Sequence, residues 1–439
     1  MSLQTRGKRK TPPWLILFCL IFAGETICGL PFHIARFFRP TLLSVFNLTH
    51  TELGDAFAIY GIMAMLAHFP GGVIADRFSP RKLMASSLLL TGIGGLYMAQ
   101  IPSYKGFSVL FGFWGVTTIL LCWAPMLKAT REWGGSSKQG LAFGILDGGR
   151  GLVAAVFASV GVWILSQMLP VELTVATGSE SLKALKAVIY FYTLITFGAA
   201  ILILLFIPES SESSPRKINT PTLEGIREVL VNPVVWLQAV IIICAYCGYK
   251  GLDFYGLYAM EALNMNEVSA ATFVSNAAYL RVVTAIAAGF LVDRFSGRKV
   301  TGYMFLILLT SYLLLGILIP SRVAIGLIYA NLIITFIGVY GIRGVYFALI
   351  EETNINRNLT GKAVGIISVV GFTPDIFFAS ISGRILDAWP GIEGYHHFFF
   401  LLSCFAVVGM IAALALFRFT PTTAKSLEDI QTDKTPGSE

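Results

Sequence analysis

Twelve apolar runs, most of them about twenty residues or longer, follow one another along the chain with polar breaks between them. They cover roughly 13–37, 53–75, 83–101, 105–128, 140–167, 186–208, 233–260, 269–292, 299–319, 322–350, 362–386 and 396–418. A helix rises ~1.5 Å per residue, so a run of ~20 crosses the ~30 Å hydrocarbon layer of a bilayer. Barrel strands need only ~10 residues of alternating polarity, and these runs are too long and too continuous for that. Inside lipid each backbone N–H and C=O must find its partner within the segment, which leaves helices packed into bundles. The expected fold class is an all-α multi-pass membrane protein with twelve transmembrane helices.

Composition excludes the other classes. The AVILMFWYC set supplies 55% of the 439 residues and charged residues only 13%, about half the ~25% of soluble domains. Mean hydropathy is +0.73. A soluble enzyme, a disordered tail protein, a fibrous repeat and a protein with one membrane anchor are all incompatible with these values. The net charge of +7 follows from Lys and Arg retained on the cytoplasmic side, not from nucleic-acid binding. The six cysteines lie within apolar runs, so no disulfide framework is expected, and Cys244 and Cys247 read as small core side chains. The five histidines show no ligand spacing, so neither a metal nor a cofactor is expected. No nucleophile–base constellation and no P-loop occurs, so neither an enzyme nor an ATP-driven machine is expected.

Lys and Arg set the orientation. The N-terminal segment, the even connections and the tail carry 21 of them, and the opposite connections carry 5: Arg39, Lys105, Lys183, Lys186 and Arg322. Both termini are therefore expected in the cytoplasm of a cell-membrane protein. The polar stretch 209–232 divides the chain into an N-terminal six-helix bundle (1–208) and a C-terminal one (233–418), followed by a cytoplasmic tail (419–439).

Two segments repeat. GGVIADRFSPRKL runs from Gly71 to Leu83, and AGFLVDRFSGRKV from Ala288 to Val300. Each closes the second span of its half, so the halves are parallel repeats, as in two-bundle transporters. Here the chain resembles the major facilitator superfamily, whose signature after the second span is G-x-x-x-D-R/K-x-G-x-R/K-R/K. Gly72, Asp76, Arg77, Arg81 and Lys82 match it, with Ser79 in place of the usual glycine. Gly289, Asp293, Arg294, Arg298 and Lys299 match it again, with Ser296 likewise substituted. The resemblance implies two pseudo-symmetric six-helix bundles rocking about a central site. It makes these ten residues gate elements that form contacts when the cytoplasmic side is closed.

Ionisable groups inside spans are costly and point to function. They are Glu25, Arg36, Asp147, Arg150, Lys250, Asp253, Arg281, Arg343, Asp375 and Arg384, six cations against four carboxylates. Arg36 lies 40 residues before Asp76 and Lys250 lies 43 before Asp293. That places the two at similar levels in the first span of each half, where they would clamp an anion. Arg36 near the outer surface and a Lys250–Asp253 ion pair are the structural alternatives. Asp147 and Arg150 flank two glycines and can pair with each other across the turn. The substrate-binding candidates are Arg36, Lys250, Arg150 and Arg343. The proton-coupling candidates are Glu25, Asp147, Asp253 and Asp375, whose pKa burial can raise. Asp375 follows Pro374, where a helix kink is expected.

A narrower resemblance is to the organophosphate:phosphate antiporter (glycerol-3-phosphate transporter-like) branch. That branch places basic residues in spans 1 and 7; here they are Arg36 and Lys250-Gly251-Leu252-Asp253. Trp133 followed by Lys138-Gln139-Gly140 is similar to its loop before span 5. The expected function is secondary active transport of a small anionic organic solute: an organophosphate, carboxylate, sulfonate or sugar acid. The alternatives are a proton-coupled symporter of a neutral solute such as a sugar, and a non-transporting sensor or scaffold on the same fold. The expected partners are the solute, membrane lipid, and protons or phosphate as the coupling ion, with the chain working as a monomer.

Overall fold

The computed structural model describes residues 11–135, 139–169, 178–209, 225–320, 324–346, 349 and 359–419. Residues 1–10, most of the linker (210–224), the tail beyond 419 and the side chain of Asp293 lie outside the described residues. So do Lys138, Arg216, Lys217, Arg322, Arg357, Lys425 and Lys434, which entered the charge count.

Twelve main helices account for the fold: α1 (Pro13–Phe37), α2 (His50–Arg77), α3 (Pro80–Met98), α4 (Tyr104–Gly134), α5 (Gln139–Met168), α6 (Gly178–Phe206), α7 (Pro233–Leu263), α8 (Glu267–Val292), α9 (Gly297–Ile317), α10 (Ile325–Val345), α11 (Lys362–Ala388) and α12 (Ile392–Phe419). Eleven are long and apolar enough to cross a membrane. The remaining one, α3, has 19 residues and carries Ser87, Thr91 and three glycines. Its polar face is buried: Ser87 donates to the Thr117 carbonyl at 2.7 Å, and Gly92, Gly94 and Gly95 lie against Phe197, Trp114 and Thr193. Small residues in α3 let its neighbours approach closely, which is how membrane helices gain packing.

The first connection of each half is built alike. A short helix, Arg39–Phe46, ends at Asn47 in the left-handed conformation, and Thr49 then caps α2 in a capping box with Glu52. In the second half Tyr255–Leu263 ends at left-handed Asn264, and Asn266 caps α8 by accepting from Ser269 N–H at 2.8 Å. Asparagine tolerates that conformation better than most residues. At the far ends α2 stops at Phe78 and α8 at Phe295, both extended.

The halves are joined at one end. Near its start α2 packs against the end of α11 at glycines: a Cβ on Gly54 would stand 2.4 Å from the Ala379 carbonyl oxygen, and one on Gly383 2.4 Å from that of His50. Asp387 accepts from the His50 and Thr51 backbone N–H groups at 3.1 and 2.7 Å. Asp55 binds Arg384 at 2.8 and 3.2 Å and also accepts from Ser380. Thr41 bonds to Glu267. At the opposite end Asp76, Arg77, Lys82, Arg294 and Lys299 are exposed, and a Cβ on Gly72 or Gly289 would meet nothing within 4 Å. There Lys82 pairs with Glu209 of its own half at 3.0 Å, and Arg298 lies over the Phe417 ring.

Candidate binding cleft between the two halves

The middle of α1 departs from α-geometry. Gly29–His33 forms a π-turn, with Pro31 at its centre. Proline has no N–H and its ring clashes with the carbonyl one turn back, which favours a widened turn. Gly29 fits because Tyr192 packs on it: a Cβ there would stand 2.7 Å from the ring. A regular helix repeats its face after seven residues, and the inserted residue makes that eight. Glu25 and His33 thereby share a face, with Glu25 Oε1 3.0 Å from His33 Nε2. The other carboxylate oxygen accepts from Arg150 Nε of α5 at 3.1 Å.

In α7 the helix tightens to a 3₁₀ turn at Leu252–Phe254. This turn carries Asp253, which accepts from Arg36 Nε across the seam between the halves. Arg36 also donates through Nη1 to the Tyr249 hydroxyl at 2.6 Å, and its guanidinium carbon lies 4.2 Å from the Tyr249 ring centre. Arg36 is therefore buried and paired, and does not extend to the outer surface. Lys250 is 2% exposed, 3.1 Å from Asp375 and 3.9 Å from Asp253, with Phe32 and Phe57 around its ammonium. The break expected before Asp375 is present: α11 is interrupted at Phe372 and resumes at Pro374. Asp375 thus sits in a first helical turn, where the helix dipole favours a carboxylate, and it accepts from Tyr246 at 3.1 Å.

Asp147 and Arg150 do not pair with each other. They point from α5 to different neighbours, Asp147 to Arg281 of α8 at 3.1 Å and Arg150 to Glu25. Arg343 of α10 lies 3.8 Å from the Tyr249 ring centre, makes no ion pair among the described residues, and has a buried Nη1 without a hydrogen-bond partner. Two guanidiniums, from α1 and α10, thus share one tyrosine ring.

A small cleft opens at this point, lined by Glu25, His33, Arg36, Tyr249, Arg281 and Tyr340 among others. Of the sequence candidates, Arg36 and Glu25 line it. Lys250 does not; it is enclosed one layer away. Four residues in or beside the cleft were not singled out from the sequence: His33, Tyr249 and Tyr340, which line it, and Tyr246, which bonds to Asp375. Nothing in a lone histidine or in tyrosines within apolar runs marks them, although Pro31 in the middle of a span signals the irregular turn. Arg39, counted with the outer connections, does begin the short helix of the first one, but it is 0% exposed there and lies over the Phe254 ring at 4.0 Å between the halves.

The sequence model of the Major Facilitator Superfamily matches residues 14–379. The inner membrane protein YihN of Escherichia coli is 28% identical over 413 residues, covering 92% of this chain and 95% of that protein. The glycerol-3-phosphate transporter of Bacillus subtilis is 22% identical over 415 residues, covering 88% of this chain and 87% of its own length. Among solved structures, the nucleoside transporter NupG superposes with a TM-score of 0.72 at 12% identity, over 92% of this chain and 100% of that one. That likeness shows the twelve-helix fold.

Proposed function

Because the chain belongs to the Major Facilitator Superfamily, we propose that it moves a small organic anion across the membrane by alternating access through the cleft beside Tyr249. The observation that carries this reading is the charge around that ring. Five cations (Arg36, Arg150, Lys250, Arg281, Arg343) meet four carboxylates (Glu25, Asp147, Asp253, Asp375), and each carboxylate is matched. Among the described residues Arg343 makes no ion pair, and its buried Nη1 lacks a hydrogen-bond partner, a cost that an arriving anion would relieve. Arg36, Arg281 and Arg343 are planar forks suited to phosphate, sulfonate or carboxylate oxygens. The glycerol-3-phosphate transporter among the relatives supports a phosphate ester within that group.

With both termini in the cytoplasm, the orientation that the basic residues favour, the joined end of the bundle is the outer one and this state is inward-facing. The exposed Asp76 and Arg77 then belong to a gate that is disengaged here and engages when the inner end closes. A reporter fused to the C-terminus is expected to read cytoplasm.

The test is a thermal-shift and proteoliposome uptake panel of glycerol-3-phosphate, glucose-6-phosphate, lactate, methanesulfonate, nitrate, xylose and glucose. A ligand at 100 times its Kd stabilises the folded state by about 2.7 kcal/mol. Stabilisation and uptake by an anion supports the reading. Stabilisation by a neutral sugar alone replaces it with the sugar-symporter reading.

A further inference from the structure

Among the residues lining the cleft is one imidazole, and its two ring nitrogens meet different surroundings. His33 is 4% exposed and lines the cleft with Arg36 and Arg281. Its Nε2 faces Glu25, so that nitrogen carries a proton in either charge state. Its Nδ1 is buried with no hydrogen-bond partner. The register of the two halves adds a second observation. Asn47 and Asn264, and Asp76 and Asp293, are 217 residues apart, and the same interval takes His33 to Lys250. The matching site of the other half thus holds a permanent cation against a carboxylate.

We propose, resting on the anion reading above, that His33 takes up the coupling proton on Nδ1 when the anion enters the cleft, making the carrier a proton–anion symporter. The surroundings decide when the proton binds. Glu25 is the facing carboxylate, but Arg150 already occupies its second oxygen at 3.1 Å. Tyr192 of α6 packs edge-on to the imidazole at 5.7 Å, and Phe37 does so from α1. Arg36 from α1 and Arg281 from α8 bring positive charge to the same cleft. In the empty cleft a second imidazole proton, on Nδ1, would therefore be a buried donor without an acceptor, beside guanidiniums already paired with Asp253 and Asp147. An anion supplies both the acceptor for Nδ1–H and the opposing charge. Binding then draws one proton from the open side, and by linkage a proton bound at His33 tightens anion binding equally. Release to the other side returns both, so a monovalent anion moves with no net charge.

The experiment measures anion affinity of the purified chain from pH 5.5 to 8.5 with the panel above. Nitrate and methanesulfonate are the decisive members, since neither titrates in that range. Proton uptake on binding is recorded in weak buffer. Wild type should take up about one proton per anion, and its affinity should weaken as the pH rises, by up to about tenfold per pH unit. His33→Gln, which keeps a donor for Glu25 but cannot titrate, should bind more weakly and without this pH dependence. Glu25→Gln should keep the dependence but move it to lower pH, because Arg150 is then unopposed beside the imidazole. No proton uptake by wild type, or an unchanged pH dependence in His33→Gln, overturns the assignment. If His33→Gln fails to fold, wild-type proton uptake and the Glu25→Gln shift decide it. Absence of binding by every anion overturns the anion reading itself, and this inference with it.

Discussion

Arg36 and Asp253 occupy equivalent positions in the two halves and bind each other: they are 217 residues apart, the interval that also relates Asp76 to Asp293, Asn47 to Asn264 and Phe78 to Phe295. In a pseudo-two-fold molecule the distance between equivalent points shrinks to zero at the axis. A direct contact between two such residues therefore lies beside that axis, at the last turn of α1 and the 3₁₀ turn of α7. The site is built around this pair, with the Tyr249 ring next to it and opposite charges on the two sides of one seam.

Breaking this pair should destabilise the protein more than removing it. Arg36→Ala leaves Asp253 buried with only Lys250, at 3.9 Å, to oppose it. Asp253→Ala leaves Arg36 against Tyr249 alone. Losing one partner of a buried pair typically costs about 3–5 kcal/mol, with Arg36→Ala at the lower end because Lys250 remains. The exchange Arg36→Asp with Asp253→Arg puts the same charges on equivalent positions and should recover Tm above either single alanine variant. Thermal unfolding in detergent checks this; a swap less stable than both would remove the pair from the axis.

The register also explains what was legible in the sequence. The apolar runs gave the helices, because lipid leaves the backbone no other choice. The doubled Asp-Arg-Phe-Ser motif gave the two halves. Matching Arg36 to Lys250 by counting back from that motif missed by one turn of helix. The caps at Asn47 and Asn264 fix the register, and they pair Arg36 with Asp253 and His33 with Lys250. Which carboxylate each cation binds was not legible, since it depends on the π-turn at Gly29–His33 and the 3₁₀ turn at Leu252–Phe254. Those shift side chains by a fraction of a turn, and only Pro31 betrays one of them.

Arg343 should separate binding from folding. It makes no ion pair with a described carboxylate, and Asp147, which feels its charge, is held directly by Arg281, so Arg343→Ala should change Tm little. If it contacts the anion, removing a charged hydrogen bond of about 1.5–3 kcal/mol lowers affinity about 10- to 150-fold. Arg343→Lys should recover only part, because the ammonium cannot fork or stack on Tyr249 as the guanidinium does. Affinity unchanged in Arg343→Ala, at normal expression, would exclude it from the site. Lys250→Ala is the useful contrast: it leaves the Asp375 carboxylate without its cation, while Asp253 keeps Arg36, and should lower stability first.

The gate residues should matter only in the conformation not seen here. Asp76 and Arg77 are exposed, so Asp76→Asn should leave the stability of this state intact. In the closed-inside state the carboxylate would face a helix terminus, an interaction of ~0.3–2 kcal/mol. Losing it should raise the reactivity of a cysteine at Gly148 toward a reagent applied from the cytoplasm by about 2- to 30-fold, depending on how much of the protein is closed at rest. Unchanged reactivity in both Asp76→Asn and Asp293→Asn would detach the repeated motif from gating.

Glycine at the joined end should set the balance between the two states. A Cβ at Gly54 would meet the Ala379 carbonyl oxygen at 2.4 Å and the Ser380 Cα at 2.8 Å. Both are backbone atoms and cannot turn aside, so α2 and α11 must separate by about 1 Å to accept an alanine methyl. Overpacking of this kind costs about 1–3 kcal/mol. That cost falls on the state in which this end is shut, because the opposite state parts the same two helices. Gly54→Ala should therefore shift the population toward outward-open by about 5- to 150-fold, with a small change in Tm. Asp387→Ala, which removes the acceptor for the His50 and Thr51 N–H groups, should act in the same direction by about 1 kcal/mol, as loss of a helix cap does. The readout is labelling of a cysteine at Phe37 from the outer side, together with the distance between spin labels at the His50 end of α2 and the Asp387 end of α11. Longer distances and faster labelling in both variants would support a glycine-set gate. A large fall in Tm with neither change would mean that this crossing holds the fold together and takes no part in switching.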